Sequence, residues 1–413
     1  MSNKTETQPN DLGTVDFAVR EHRSLWVDAW RRLIASRTAR LGMIIVAIFL
    51  FSAIFAHYFW EYDPKTDLDY SLKLKPPTLV ANEEVPSVHI FGTDKLGRDI
   101  FRRVVHGGWN SLRVGIVAVG ISLIVGGLLG MLAGFYESML ITSIERFILY
   151  GLIGFTLGLL PAWIAMPPIQ AILLAVLGLV AASFSKLWAD KKHYRILLFS
   201  ALGTLVTAIP AIFIGPMMAV VCGFLGAITG VILALPLDGK FFSTIVMRIM
   251  DIILSFPGYL LAIAIVAFLG PGLEKGMIAI GIVGIPVYAR LVRSAVLSVG
   301  QKEYILAAQS VGESHGRIIF RHVFPNILSP VIVQSTMGLA DAILSAAALG
   351  FLGLGAIPPE PEWGAMLGDS YRYLTSGAWW AVLFPGLAIM LSVLGFNLLG
   401  DGLRDALDPK LRT

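Results

Sequence analysis

Residues 301–326 read QKEYILAAQSVGESHGRIIFRHVFPN, a polar and basic stretch set between long apolar runs. Connectors between packed helices are usually short, so a segment of this length is expected to carry two short helices of its own. Ile305, Ala308 and Gly312 recur at i, i+3 and i+7, which places them on one helical face. Ala307, Ala308 and Gly312 are small enough for another surface to approach the backbone. Gly312 suits the end of the first helix. Ser314 suits the cap of a second helix running through Arg317, Ile319 and Arg321, and Pro325 is expected to stop it. Two readings stand at this point: a docking surface for a cytosolic partner, or an amphipathic loop lying on lipid headgroups.

Outward from that segment the chain is membrane-like. Of its 413 residues 56% are apolar and 15% charged, and the mean hydropathy is +0.75, far from a soluble domain. Runs able to cross about 30 Å of hydrocarbon are Leu41–Trp60, Val114–Glu137, Phe147–Ser185, Ile196–Leu237, Ile252–Leu273 and Trp379–Gly400. The third and fourth are each long enough for two spans, broken at Pro167-Pro168 and Gly215-Pro216. Two less uniform spans, 276–297 and 327–353, complete a count of about ten in an all-α polytopic membrane protein. Pro257, Pro286 and Pro385 fall inside spans and are expected to kink them.

Basic residues set the orientation. Arg31, Arg32, Arg37 and Arg40 precede the first span and put the N-terminus in the cytosol. Counting onward, the cluster 190–195, Lys240, Arg248, Arg290, Arg293, the 301–326 loop and the C-terminal Arg404, Lys410 and Arg412 all fall inside. The segment 61–111 then lies outside despite its many Lys and Arg, which acids of similar number balance. A pI near 9.1 reflects such loops and not nucleic-acid binding.

Several chemistries are missing. Gly239-Lys240 lacks the glycine spacing of a phosphate loop, so nothing cradles a nucleotide. No HExxH or GxSxG occurs, the seven histidines are scattered, and the single Cys222 forms neither a disulfide framework nor a CxxC site. Asp63 and Asp401 fall at opposite membrane edges and cannot share a proton as an intramembrane aspartyl protease requires. The expectation is a non-enzyme that binds no cofactor or metal.

At the motif level LAAQSVG followed by FRHVFPN resembles the EAA loop of ABC importer permeases, in which coupling helices insert into a cleft on the ATPase. Leu306 stands where that family often has glutamate, and Phe324 replaces the usual leucine before proline. FGTDKLGRDIFRRVVHGGWNSLRVG (91–115), RIMDIILSFPGYLLAIAIVAFLGPGL (248–273), PVYARLVRSAVLS (286–298), GFLGLG (350–355), PEWGAMLGDS (361–370) and FPGLAIMLSVLGFNLLGDGLRDALDP (384–409) follow in order. Together they are similar to the second permease subunit of the oligopeptide, dipeptide and nickel importer family. The resemblance implies a type I ABC importer transmembrane domain in a bacterial or archaeal cytoplasmic membrane. It implies a homologous second permease, two ATPase subunits that use ATP and Mg, and an extracytoplasmic substrate-binding protein. Glu303, Ala307, Ala308, Gly312, Arg317, Arg321 and Pro325 are the residues expected to couple to the ATPase.

Other segments keep open readings. Gly92, Thr93, Asp94, Gly97, Arg98 and Asp99 mark an outer-loop signature. There Asp94, Lys95, Arg98 and Asp99 are expected to pair among themselves in a glycine-bounded turn that braces the loop or docks the binding protein. Asp341 is an acid well inside a core span, expensive unless it faces protein or water. It lines the translocation path, makes an intersubunit hydrogen bond, or serves as the ion site of a secondary transporter. The expected divisions are a cytosolic segment 1–40, a first span 41–60, an outer loop 61–111, a second core span 112–136, an inserted region 137–241 and a core 242–413. The insertion, of about four spans, departs from the family's short turn and is expected to face lipid or an accessory subunit.

Overall fold

The computed structural model describes residues 25–64, 66–81, 87–138, 176, 198–205 and 239–407. Among these the chain is helical, with two isolated β-bridges and no strand. That is the expected solution in lipid, where each backbone polar group must be satisfied within its own segment. A short amphipathic α1 (Leu25–Ala35) precedes α2 (Arg37–Phe59). Next come α3 (Ile100–Ser138), α4 (Gly239–Leu254), α5 (Gly258–Leu269), α6 (Leu273–Gly300) and α7 (Glu303–Ser310). The chain continues with α8 (His315–Phe351), α9 (Trp363–Ser370) and α10 (Trp380–Leu407). Among the described residues five helices are long and apolar enough to cross a membrane, or six when the bent pair α4–α5 counts as one span. Apart from residue 176 and residues 198–205, which are helical, the expected spans at Phe147–Ser185 and Ile196–Leu237, with Pro167, Pro168, Gly215, Pro216 and Cys222, lie outside the described residues.

Three expected boundaries move. The second core span begins at Ile100, because Asp99 caps it by accepting from Arg102 N at 3.0 Å; residues 100–111 are therefore helix and not loop. The span drawn at 252–273 is two helices meeting at 87°. Pro257 forbids a helical hydrogen bond and pushes Phe256 out of the helical region. Pro286 and Pro385, by contrast, sit inside continuous helices. The span drawn from 327 starts at His315, with no stop at Pro325. There the helix widens into a π-turn over Ile318–Val323, whose longer bonds relieve the clash between a proline ring and the preceding turn.

Close backbone approach holds the bundle together. Gly126, Gly130 and Gly134 form a stripe along α3 facing the carbonyls of Ile285, Ala289 and Arg293 on α6, and a Cβ at Gly130 would lie 2.3 Å from Ala289 O. Without a hydrophobic drive between helices in lipid, such small-residue seams supply the packing. At the Gly134 end of this seam Arg293 ties α3 to α4. Its guanidinium reaches Glu137 at 2.6 Å and Ser243 Oγ at 2.8 Å, and Ser243 donates to the same carboxylate at 2.6 Å. The two ends of the intervening stretch therefore sit side by side.

Candidate functional site

The connector between α6 and α8 is built around a glycine turn. Gly312 has φ +78°, a left-handed conformation that side chains resist. Glu313 N donates to Ala308 O at 3.0 Å and Gly312 N to Gln309 O at 2.9 Å, the paired bonds that close a helix on a C′ glycine. Ser314 occupies the cap position of the next helix, but its side chain makes no capping bond. Glu313 instead bridges the turn, its carboxylate 3.0 Å from His322 Nε2 and 3.9 Å from Arg317 Nε. Asn326 Nδ2 donates to His322 O at 2.7 Å in the irregular turn before Pro325.

The helical face read from the sequence points inward. Ile305 is fully buried and Ala308 only 9% exposed, both packed on Phe135, Val292, Val296, Ile318 and Val323. Ala308 is thus a packing contact, and small size there serves the core. Glu303, Ala307, Gly312, Arg317, Arg321 and Pro325 are exposed. Alongside them stand apolar side chains that the search for small residues missed: Leu306, Phe324, Val311 at 83% exposure and Phe320 at 73%. Their signal in the sequence was an apolar residue in a polar loop, off the buried periodicity. The elbow therefore combines a firmly packed underside with a bare apolar and basic upper side.

The outer signature is arranged differently. The Asp94 carboxylate accepts from Arg98 Nε at 2.7 Å, Arg103 Nη1 at 2.5 Å and the backbone of Leu96 and Arg98, all in a buried cluster. Arg103, four residues beyond the motif's end and about one helical turn along α3, was not anticipated. Thr93 Oγ1 donates to Leu72 O and accepts from Lys75 N, while Gly92 and Gly97 take the positive-φ positions. The expected pairing of all four charges within the turn is corrected in two places. Lys95 reaches Asp369 at 2.7 Å, and Asp99, besides its cap, holds His89 at 2.7 Å. Both partners lie outside the motif, where sequence proximity gives no hint of them.

Across this cap runs the 352–379 connector. Trp363 Nε1 donates to Val104 O at 2.8 Å, and Asn110 Nδ2 to Pro361 O at 2.8 Å. Glu362 is almost completely buried and caps α9, accepting from Gly364 N at 2.8 Å and Ala365 N at 2.7 Å. Burial pushes its pKa up to about 7 against those two bonds. Burial also raises the Tyr62 hydroxyl to about 12. Asp341 lies on α8 and lines a cavity of about 190 Å³ between α3, α6 and α8. No group of three or more His, Cys, Asp or Glu among the described residues could hold a metal.

The described residues thus form a multi-helix bundle of membrane-crossing length, with an exposed elbow at one end and a braced cap at the other. Residues 226–413 match the family described as binding-protein-dependent transport system inner membrane component, and residues 24–77 the N-terminal TM domain of oligopeptide transport permease C. A dipeptide transport system permease protein (DppC) of Alkalihalophilus pseudofirmus is 37% identical over 94% of this chain and 91% of its own. A di/tripeptide transport system permease protein of Pseudomonas aeruginosa is 36% identical over 93% and 91%. A glutathione transport system permease protein (GsiD) of Pectobacterium atrosepticum is 33% identical over 95% and 93%. The chain belongs to this family of ABC importer permease subunits, multi-pass proteins of the inner membrane. Because these matches run nearly end to end, most of the long stretch after α3 is shared with such relatives and does not set this chain apart from them.

Proposed function

We propose that this chain forms half of the translocation pathway of an importer for di- and oligopeptides; relatives are named for dipeptide and di/tripeptide transport, and the matching N-terminal family for oligopeptide transport. A homologous permease forms the other half, and an extracytoplasmic binding protein delivers the peptide. Two ATPase subunits bind and hydrolyse ATP with Mg; this chain contributes no cofactor site, and its remaining contacts are with lipid and not nucleic acid. Both termini face the cytosol. Closure of the ATPases moves the 301–326 elbow, and rigid-body tilting of the helices packed on it opens the pathway alternately to each side.

The observation that carries this reading is the two-sided elbow. A surface that is to transmit a push must be stiffly joined to the bundle and bare toward its partner. Ile305, Ala308, Ile318 and Val323 supply the joint, while Leu306, Val311, Phe320, Phe324 and Arg321 supply the free side. An amphipathic loop on headgroups would bury that apolar side in lipid and needs no packed underside. Phe320→Asp, in the complete transporter reconstituted in liposomes, is expected to lower ATP-driven uptake at least tenfold, about the loss of one interface anchor. Assembly of the spans should be unchanged. Normal uptake by that variant would remove the elbow from the coupling route.

A further inference from the structure

The seam between α6 and α8 holds two cavities that meet at one side chain. The outer one, about 190 Å³, is lined by Tyr288, Gln334, Gly338, Asp341 and Ser345. The second, about 500 Å³, is lined by Gln334 again, with Leu291, Ser329 and Arg404 from the end of α10. Asp341, Gly338 and Gln334 are spaced i, i−3 and i−7, so one face of α8 fronts both cavities. Each cavity has a single charged residue on its wall, an acid in one and a base in the other.

Neither charge is spoken for. Asp341 is exposed in this chain, and no ion pair or side-chain hydrogen bond engages it or Arg404 among the described residues. A carboxylate at membrane depth persists only where it meets water or a cation. The rest of the seam is neutral: at Gly338 the Tyr288 hydroxyl comes within 2.6 Å of where a Cβ would sit, and Gln334 offers both a donor and an acceptor between the two charges. Along α8 the stretch from Asp341 to Pro330 is about 16 Å at 1.5 Å per residue. An extended peptide gains about 3.5 Å per residue, so roughly five residues bridge the seam and a dipeptide engages one end at a time.

We propose that this seam is a track for zwitterionic peptides, in which the Asp341 carboxylate receives the amino-terminal ammonium and the Arg404 guanidinium the terminal carboxylate. The proposal rests on the importer reading above and adds to it a direction: with Arg404 on the cytosolic side, the peptide passes carboxylate first. Charge-assisted hydrogen bonds at both ends replace water lost by the peptide termini, which an apolar wall could not do.

The complete transporter in proteoliposomes tests this with a pentapeptide, its N-acetylated form and its C-terminal amide, all three first shown by calorimetry to bind the delivering protein equally. The wild type should move each blocked form roughly tenfold more slowly than the free peptide, the effect of about 1.4 kcal/mol at one end. Asp341→Asn should erase the discrimination against the acetylated form and keep that against the amide, and Arg404→Gln should do the reverse. Asp341→Glu and Arg404→Lys, which keep the charges, should retain both discriminations even where overall uptake falls, and so separate loss of charge from loss of fold. Equal handling of all three peptides by the wild type, or variants that lose both discriminations together, overturns the track alone. Absence of ATP-driven peptide uptake by the wild type overturns the importer reading and the track with it.

Discussion

The 301–326 elbow and the cap around 92–103 are both polar interruptions of an apolar chain, and they use their polar residues in opposite ways. In the cap, Asp94, Arg98 and Arg103 are buried together, and Lys95 and Asp99 are spent on Asp369 and His89. In the elbow Arg321 points to solvent, and the bonds that exist close the turn itself. A motif whose charges satisfy one another is a brace. One whose framework is satisfied by backbone and apolar packing leaves its side chains for a partner.

The comparison breaks most visibly in the cap. Asp94→Ala strands two buried guanidinium groups and should cost about 3–5 kcal/mol, as loss of one partner from a buried ion pair does. Thermal denaturation in detergent should show a much less stable protein, whereas an unchanged transition would mean that the cap is not a brace. Next in size is Glu362. Its pKa is raised from 4.5 to about 7 by burial, so the folded cap holds a proton that the unfolded chain has released. Stability therefore falls as pH rises from about 4.5 to about 7, by roughly 3 kcal/mol, and stays level above. Glu362→Gln should flatten that slope, measured by protease sensitivity of the 352–362 connector across the pH range.

Smaller effects belong to the elbow. Gly312→Ala meets no neighbouring atom, so its cost is only that of a left-handed alanine, about 1–2 kcal/mol. Amide exchange should speed up around residues 308–313, with a partial loss of ATP-driven uptake. Smallest for stability is Phe320→Asp, expected within about 0.5 kcal/mol because the side chain touches little. A variant that leaves the transition unmoved yet uncouples transport would sharpen the contrast between bracing and presenting surfaces.

Legibility followed the range of the forces involved. The apolar runs around 41–60, 276–297 and 379–400 were readable because span length and helical hydrogen bonding are local demands. The elbow's turn at Gly312 was readable for the same reason. Asp94 with Arg98 was within reach because the pair is four residues apart. Its second partner Arg103, and Lys95 with Asp369, were not, because those contacts are fixed by where α3 and α9 meet. Pro257 and Pro325 look alike in the sequence. One ends a helix and the other rides through a π-turn, the second inside a helix firmly packed at Val323 and Ile327.

By itself the sequence determined that this is a helical membrane protein with a structured connector at 301–326, since hydrocarbon thickness and backbone satisfaction leave no alternative for such runs. Only the tertiary structure decided which side of the connector is free, which charges of the outer signature are consumed, and that Asp341 and Arg404 line neighbouring cavities that share Gln334. Helical periodicity assigns residues to a face, but what that face meets is set by elements distant in the chain.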